Sequence, residues 1–465
     1  MSTALVDLYH GDVTETLRQM PERSVHCVVT SPPYWALRDY HTPGQIGLEP
    51  TMEEYVAKLV AVFAVVRRVL RDDGLCFVNL GDSYAGSWGS MSHDLDGKAK
   101  RQGTNERPAT SRPKATGLKP LDLCNIPHRV AQAMQSDGWY WRGTWHWIKR
   151  SPMPESVSGT RWERHWVKVG ASDRAANAFQ DGAYQEHKQG VGTASRAERE
   201  DYFASGNGGA QRQPCPGCAA CTYPDQPQRN GWVLRRGSWR WTDAVEYVFL
   251  FAKQPGYTAF QEQVREEVSQ ESLARYERGS TYDGSKPYVM ANPPSGNLAG
   301  RNPRNYGILS SEPSSEPHYA TYPQALIEPF IRAATSDKGV CAACGAQWVP
   351  VVEHSQKYQA MLDNTSERWF QRKENPFTNG KKSDNTFHGT LPEINVLAYW
   401  PCCTCPPHAP VPATVLDPFV GSGTTCIAAR RLGRRSIGID LSAAYLDIAV
   451  RRLADEKNSQ AAMIV

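Results

Sequence analysis

A glycine-rich turn near the carboxyl end constrains the fold of this 465-residue chain most strongly. The turn, Asp417-Pro-Phe-Val-Gly-Ser-Gly-Thr-Thr425, joins an apolar run to an Ala-rich stretch. Gly421 and Gly423 allow a tight βα turn and a close approach of the backbone to a ligand. The next apolar run, Ser436 to Ile439, ends at Asp440, whose carboxylate can accept both hydroxyls of a ribose. The pattern indicates an α/β sheet with a nucleoside site.

One departure from the dinucleotide-binding pattern narrows the ligand. Cys426 stands where a third glycine would bring a pyrophosphate against the helix. A nucleoside without that phosphate therefore fits the turn better than a dinucleotide. The two glycines alone are equally compatible with an ordinary tight βα turn that binds no ligand.

A second turn, Thr30-Ser-Pro-Pro-Tyr-Trp35, directly follows the apolar run Val25 to Val29. The prolines fix their own backbone angles and bias the preceding residues toward an extended form, which holds Ser31 and the Pro32 carbonyl rigidly. Acceptors on both N–H bonds of an exocyclic amino group direct its nitrogen lone pair away from the ring, while Tyr34 stacks on a flipped base. The alternative is a strand-ending turn with a buried tyrosine.

Together, the two turns resemble the amino-methyltransferases of DNA, in the permuted subgroup whose catalytic motif precedes the cofactor motif. The resemblance extends to Gly11-Asp12, to the stretch from Trp145 to Pro154 and to His318-Tyr-Ala-Thr-Tyr-Pro323. It implies a Rossmann-like, seven-stranded α/β fold that binds S-adenosyl-L-methionine.

The resemblance also implies roles for individual residues. Those assigned to the cofactor are Asp12, Asp417, Phe419, Gly421, Ser422, Gly423, Thr424 and Asp440. Those assigned to catalysis are Ser31, Pro32, Pro33 and Tyr34. Asp12 would meet the adenine amino group and Asp440 the ribose, although each could instead be a turn carboxylate.

Serine at the first position of the catalytic tetrapeptide is the commoner form in cytosine-N4 enzymes of this family, and aspartate in adenine-N6 enzymes. Ser31 therefore favours cytosine. Because a hydroxyl and a carboxylate both accept a hydrogen bond from an amino group, adenine-N6 methylation is the alternative. A further alternative is an inactive, zinc-containing DNA-binding protein that keeps the fold.

The motifs predict one catalytic domain assembled from both ends of the chain, with inserts between them. Residues 1–150 form a catalytic half, and residues 151–240 form a target-recognition insert. The chain returns to the catalytic domain at 241–337, forms a zinc-ribbon-like insert at 338–410 and ends with a cofactor-binding half at 411–465. Residues 85–119 contain seven basic and three acidic residues among Gly, Ser and Pro, which predicts a basic loop.

Hydrophobic periodicity predicts individual elements around the two turns. A helix from Thr51 to Arg71 begins with a capping box of Thr51 and Glu54, and Gly74 stops it before a strand, Leu75 to Asn79. Further predicted elements are strands at 4–9, 25–29, 145–149, 245–251 and 436–439 and helices at 121–135 and 324–334.

Two Cys-x-x-Cys pairs predict a tetrahedral zinc site with four thiolates, made by Cys341, Cys344, Cys402 and Cys405. Cys403 is the alternative to Cys402, although its spacing to Cys405 is one residue short. Reduced thiols without metal are the other interpretation. No secretory signal precedes the 12 cysteines, so a disulfide scaffold is not expected.

A third group, Cys215, Cys218 and Cys221, supplies three zinc ligands without an evident fourth. His165, next to Trp166, is a candidate. Loop thiols without metal are the alternative. The remaining cysteines, Cys27, Cys76, Cys124 and Cys426, are predicted to be small core residues.

The stretch from Ser151 to Arg240 contains twelve basic and nine acidic residues with interleaved tryptophans. Its arginines and lysines could contact phosphates and a guanine edge of double-stranded DNA. The alternative is a solvated insert with a small tryptophan cluster.

The formal net charge of +4 is compatible with nucleic acid but does not argue for it. The sequence contains no apolar run of the roughly 18 residues that a membrane helix needs. We expect a cytoplasmic protein, bacterial or phage-encoded, that is a monomer or homodimer and has a possible cognate restriction endonuclease.

Overall fold

The computed structural model describes residues 6–35, 40, 42–85, 117–119, 122–152, 159–169, 211–237, 239–267, 301–310, 322–354 and 394–462. Most of the predicted basic loop lies outside these residues, and so do His318 to Thr321 of the stretch His318–Pro323. The chain divides into two compact units. The catalytic unit comprises Met1–Ser151 and Ala244–Val465, and the inserted unit comprises Pro152–Asp243.

An eight-stranded sheet forms the centre of the catalytic unit. In order across the sheet, the strands are β1 (Val6–His10), β14 (Arg435–Asp440), β13 (Thr414–Asp417), β2 (Val25–Thr30), β3 (Leu70–Leu80), β9 (Val245–Ala252), β4 (Tyr140–Lys149) and β10 (Tyr306–Leu309). β9 runs antiparallel to both neighbours, and the other pairings are parallel. The predicted Rossmann-like α/β fold is confirmed, with the four-residue β10 as an eighth strand at one edge.

Helices cover both faces of this sheet. They are α1 (Val13–Gln19), α2 (Met52–Val69), α3 (Ile126–Ser136), α4 (Gln324–Ala334), α5 (Thr424–Arg431) and α6 (Ala443–Ala462). Alternate residues of β2 and β3 pack on opposite faces: Val28 and Val78 pack with α2 and α3, and Val29 and Phe77 pack with α4 and α5. The result is a three-layer arrangement in which β2 is buried along its whole length. None of the described helices is long and apolar enough to span a membrane.

α2 begins as predicted but ends earlier. The capping box is present: the Thr51 hydroxyl accepts from the Glu54 amide, and the Glu54 carboxylate accepts from the Thr51 amide. The prediction that Gly74 terminates the helix is wrong, because β3 already begins at Leu70 and contains Gly74. A Cβ on Gly74 would lie 2.9 Å from the His26 carbonyl oxygen, so glycine here permits close strand packing.

Among the described residues, three antiparallel pairs of strands lie outside the central sheet. In the catalytic unit, β11 (Trp348–His354) pairs antiparallel with β12 (Ile394–Pro401), within the range predicted as zinc-ribbon-like. In the inserted unit, β5 (Thr160–Arg164) pairs with β8 (Trp232–Arg236), and β6 (Trp166–Val169) pairs with β7 (Gln211–Pro214).

Candidate active site and metal centres

Both predicted turns line one cavity of the catalytic unit. Its lining includes Ser31 to Tyr34 after β2, Pro418 to Ser422 after β13, Asp440 at the end of β14 and Asp12 after β1. Because these strands are parallel, their carboxyl ends share one edge of the sheet, where ligands of α/β proteins bind. Segments from opposite ends of the sequence therefore build a single site.

The two glycines of the turn have different roles. Gly421 lines the cavity with φ +50°, and its amide donates to Asp440 Oδ2 over 2.8 Å. Gly423 is not among the residues that line the cavity, and its predicted role at the cofactor stays a prediction. It has φ +81° at the N-cap of α5, and an added Cβ would lie 2.9 Å from Ala449 Cβ on α6. Gly423 therefore allows the two helices to pack closely.

Asp417 is buried directly beneath the turn and is not among the residues that line the cavity, so its predicted contact with the ligand stays a prediction. Its Oδ1 accepts from the Thr30 hydroxyl over 2.6 Å and from the Phe419 amide over 3.1 Å. Its Oδ2 accepts from the hydroxyls of Tyr322 and Thr425. Burial raises the pKa of Asp417, and these hydrogen bonds oppose that rise, the Thr30 bond most strongly. Asp417 thus positions the turn.

The Ser422 and Thr424 hydroxyls are already engaged. Arg452 on α6 donates from Nη1 to Ser422 Oγ over 2.6 Å, to the Ser422 carbonyl over 2.8 Å and to Thr424 Oγ1 over 3.1 Å. Both residues line the cavity. Their side chains fix α6 against the turn, a role that the sequence pattern did not indicate.

The Asp440 carboxylate is held by two backbone amides at the cavity. Oδ2 accepts from Gly421, and Oδ1 accepts from the Ser442 amide over 2.8 Å. Burial raises the pKa of Asp440 to about 6, against the opposing effect of the two amides. Because each carboxylate oxygen has a second lone pair, the oriented group can still accept from two hydroxyls.

Asp12 lines the cavity and also caps α1. Its Oδ1 accepts from the amides of Thr14 and Glu15 over 2.8 and 3.0 Å. No described residue bonds to Oδ2, so one carboxylate oxygen can still accept from an amino group. The ligand role and the turn role proposed from the sequence are therefore compatible.

Aromatic rings complete the cavity wall. Phe419 belongs to the glycine-rich turn, and Tyr40 and Tyr445 meet edge to face with ring centroids 5.9 Å apart. Such rings offer apolar surface to a planar heterocycle. Only Phe419 was expected, since Tyr40 and Tyr445 lie in segments without a recognisable motif.

The catalytic turn is fixed by partners that the sequence did not reveal. The Tyr34 hydroxyl donates to Glu246 Oε2 over 2.6 Å, and Asn79 Nδ2 donates to the same oxygen over 2.9 Å and to the Tyr34 hydroxyl over 3.0 Å. Lys149 forms an ion pair with Glu246 Oε1. Burial, then the negative charge of Glu246, raise the pKa of Tyr34, which therefore stays a neutral donor.

Two backbone features set the Tyr34 ring and the neighbouring carbonyls. A Cβ on Gly81 would lie 2.7 Å from Tyr34 Cε2, so this glycine leaves room for the ring. The Tyr55 hydroxyl donates to the Pro33 carbonyl over 2.8 Å. Ser31, the prolines and Tyr34 consequently form a rigid rim that can hold an amino group beside an aromatic face.

A cluster of four cysteines lies in the catalytic unit. Sγ atoms of Cys341, Cys344, Cys403 and Cys405 all lie within 4.8 Å of one another. Cys402, predicted as a ligand, is replaced by Cys403. The reason is local: the Cys402 amide pairs with the Gln347 carbonyl at the end of β12, which leaves the next side chain to meet Cys341. Four thiolates in this arrangement fit a tetrahedral zinc ion.

Hydrogen bonds attach this cysteine cluster to the central sheet. His26 on β2 donates from Nε2 to the Gly345 carbonyl over 2.8 Å and accepts at Nδ1 from the Thr414 amide over 3.0 Å. Burial lowers the pKa of His26 to about 4, so the ring is neutral near pH 7 and keeps this donor–acceptor pattern. Arg71 Nη1 donates to the Cys344 carbonyl over 2.8 Å.

The inserted unit holds a second cluster of metal-ligating side chains. His165 and the three cysteines predicted there, Cys215, Cys218 and Cys221, have ligand atoms within 4.8 Å of one another. The candidate fourth ligand is thus brought to the three thiols. The cysteines predicted as core residues, Cys27, Cys76, Cys124 and Cys426, are all buried.

The geometry agrees with a family match. The N6/N4 methyltransferase model, described as DNA methylase, matches residues 25–342 and 403–451. The chain belongs to this DNA methylase family. The matched ranges contain the catalytic turn, the glycine-rich turn and Asp440, whereas Asp12 lies outside them.

Individual relatives cover less of the chain than the DNA methylase family match. The type II methyltransferase M.XycI of Xanthomonas campestris pv. cyanopsidis is 50% identical over 151 residues, 32% of this chain and 48% of that protein. The type II methyltransferase M.SmaI of Serratia marcescens is 46% identical over 147 residues, 32% of this chain and 49% of that protein. The chain spans about half the length of the curated relatives it matches.

One solved structure is similar over most of its length. The PvuII DNA methyltransferase (cytosine-N4-specific) aligns over 97% of this chain and 86% of that chain, with 15% identity and a TM-score of 0.44.

Proposed function

We propose that the chain is an S-adenosyl-L-methionine-dependent DNA methyltransferase that modifies N4 of a flipped cytosine. The observation that supports this most is the shared cavity: the Ser31–Tyr34 turn and the carboxylate of Asp440 line one space. An amino-group acceptor and a nucleoside acceptor at one sheet edge are what methyl transfer between two bound molecules requires.

The cavity residues fit the cofactor. Asp440 would accept from the ribose hydroxyls, Asp12 Oδ2 from the adenine amino group, and Phe419, Tyr40 and Tyr445 would pack on apolar parts of the nucleoside. The open space at Gly421, where an added Cβ meets no atom within 4 Å, leaves room beside the backbone. When bound, S-adenosyl-L-methionine supplies a methyl group on an electrophilic sulfonium.

The catalytic turn would bind and orient the target base. Ser31 Oγ and the Pro32 carbonyl accept from the two N–H bonds of the amino group, which directs the nitrogen lone pair out of the ring plane. Tyr34 stacks on the base, held by Glu246. Direct transfer needs no cysteine nucleophile, and burial raises the thiol pKa of Cys426, the cysteine of α5, to about 12.

The choice of cytosine over adenine rests on Ser31 at the first tetrapeptide position. Adenine N6 is the other outcome that an assay of the product can give. A protein that binds DNA without transferring methyl groups is disfavoured by the intact rim, because Tyr34 and Asn79 both donate to Glu246 and hold the catalytic turn in place.

The partners follow from this proposal. We infer that double-stranded DNA is the substrate, that the inserted unit contributes to target recognition, and that a cognate restriction endonuclease accompanies the protein, as the type II names of the relatives suggest. Zinc is the second proposed cofactor, held structurally by Cys341, Cys344, Cys403 and Cys405.

The test is transfer of a tritiated methyl group from S-adenosyl-L-methionine to duplex DNA by the purified protein. We expect transfer by the wild type, loss of transfer in Tyr34→Ala with cofactor binding retained, and normal transfer in Tyr140→Ala, a tyrosine exposed on β4. Full activity in Tyr34→Ala would overturn the site assignment, and a wild type that binds the cofactor without transfer would support the inactive alternative.

A further inference from the structure

The cluster in the inserted unit has the spacing of a metal site. Cys218 Sγ lies 3.7 Å from Cys221 Sγ and 3.4 Å from His165 Nδ1. A tetrahedral zinc ion with Zn–S bonds of about 2.3 Å and a Zn–N bond of about 2.0–2.1 Å holds two thiolates about 3.8 Å apart, and a thiolate and a nitrogen about 3.6 Å apart. A disulfide instead needs its sulfurs about 2.05 Å apart.

The four ligands lie where the two strand pairs of the inserted unit, β5–β8 and β6–β7, meet. His165 is the single residue between β5 and β6, and Cys215 directly follows β7. The Cys215 amide donates to the His165 carbonyl over 2.8 Å, and the Gly231 amide, just before β8, donates to the Cys221 carbonyl over 2.8 Å. One ion at this junction would therefore join all four strands.

Few residues are buried in the part of the inserted unit that the structure describes. Among its described residues, Cys221 is the only one whose side chain is buried. Large apolar side chains are exposed instead, as in Trp239 and Trp241 with 63% and 80% of their surface accessible. Small units without a hydrophobic core generally need disulfides or a metal for stability.

We propose that His165, Cys215, Cys218 and Cys221 bind one structural Zn²⁺, through three thiolates and His165 Nδ1, and that this ion joins the two described strand pairs of the inserted unit.

The ion would also order a cationic, aromatic surface on the same unit. The guanidinium of Arg164 lies over the Trp232 ring at 5.3 Å, and that of Arg229 over the Trp162 ring at 4.9 Å. Arginine beside aromatic rings suits contact with phosphates and bases. That this surface contacts DNA rests on the proposed function; the metal site does not.

The experiment measures zinc per chain in the full-length protein purified without chelators. His165→Ala and Cys218→Ser should each lose about one equivalent relative to the wild type, whereas His165→Cys, which offers a fourth thiolate, should retain it. Cys402→Ser serves as the control, because this exposed cysteine belongs to neither cluster. Retained cofactor binding in each variant shows that the catalytic unit is folded.

Two measurements keep the outcomes distinct. Cadmium NMR of the cadmium-substituted wild type needs no variant and should show one ion with three sulfurs and one nitrogen, besides the all-sulfur ion at Cys341. Unchanged zinc in His165→Ala and Cys218→Ser, or no ion with a nitrogen ligand, would overturn the proposal. DNA binding lost in His165→Ala and restored in His165→Cys would link the ion to the proposed function, and unaltered DNA binding would separate the two without affecting the metal site.

Discussion

The Thr30 hydroxyl donates to Asp417 Oδ1 over 2.6 Å, between residues 387 positions apart in the sequence. Thr30 is the last residue of β2, and Asp417 is the last residue of the adjacent parallel strand β13. Both side chains are buried, and Thr30 and Asp417 are the first residues of the catalytic turn and the glycine-rich turn. This bond therefore couples the two halves of the candidate active site at their bases.

Thr30→Val removes this donor with little change of shape. Because the variant leaves a buried carboxylate oxygen without one partner, we expect the free energy of unfolding to fall by about 1–3 kcal/mol and methyl transfer to decrease. Urea unfolding and initial rates of transfer measure the two effects. Thr258→Val is the control. The Thr258 hydroxyl donates to Asp73 Oδ2 over 3.3 Å, and neither residue lines the cavity. Equal effects of the two substitutions would argue against a special role for Thr30.

Cofactor affinity should depend on pH through Asp440, whose pKa burial raises to about 6. Ribose hydroxyls need the ionised carboxylate as acceptor, so the association constant should fall about tenfold per pH unit below 6. Calorimetric titration between pH 5 and 8 measures this fall. Asp440→Asn should bind weakly with little pH dependence, and His10→Gln tests whether the nearby His10 is responsible instead.

The raised pKa of Asp440 also makes the free energy of unfolding depend on pH, but this free energy decreases as the pH rises. Folding favours the protonated form of Asp440, so this contribution is complete below pH 3.8 and is lost as the pH rises through about 6. We therefore expect the free energy of unfolding of the wild type to decrease between pH 4 and 6, and Asp440→Asn should remove this decrease. An unchanged pH profile of stability in this variant would show that another group titrates in that range.

Gly421 and Gly423 provide a matched pair of substitutions. Gly421 has φ +50° and open space around the position of a Cβ. Gly421→Ala should therefore lower the free energy of unfolding only through the strain of the left-handed backbone, by about 1–2 kcal/mol. Gly423→Ala adds a contact of 2.9 Å with Ala449 Cβ and should be more destabilising in denaturant unfolding. Equal destabilisation would mean that α6 moves aside without cost.

The fold and both turns could be predicted from the sequence because glycines, prolines and apolar runs encode local geometry. Glu246 and Asn79 could not be predicted, since each is a polar residue next to apolar ones in its strand and acquires its partner, Tyr34, only through the order of strands. Cys403 could not be separated from Cys402 for a similar reason: the end of β12 determines which neighbour faces Cys341.

Glu246→Gln tests the support of the catalytic turn. One oxygen of the Glu246 carboxylate accepts from Tyr34 and Asn79, and the other forms the ion pair with Lys149. A glutamine amide has a single oxygen and cannot do both. We expect kcat to fall by about tenfold, equivalent to about 1.4 kcal/mol, with cofactor affinity unchanged because Glu246 is outside the cavity lining. Glu262→Gln is the control, because the exposed Glu262 forms an ion pair with Arg265 and does not line the cavity. A change confined to cofactor affinity would contradict this role.

Neighbouring cysteines test the metal centre of the catalytic unit. Cys403→Ser should remove about one equivalent of zinc and destabilise the protein, whereas Cys402→Ser should retain the metal. Elemental analysis and thermal unfolding measure both variants. Loss of zinc in Cys402→Ser with retention in Cys403→Ser would restore the ligand set predicted from the sequence.

The central claim is that the shared cavity transfers a methyl group to the amino group of cytosine in DNA. Nucleoside mass spectrometry of DNA from a host that expresses the protein tests it most directly, with Tyr34→Ala as the matched control. We expect N4-methylcytosine with the wild type and none with the variant. N6-methyladenine in its place, or no modified nucleoside with the wild type, would contradict it.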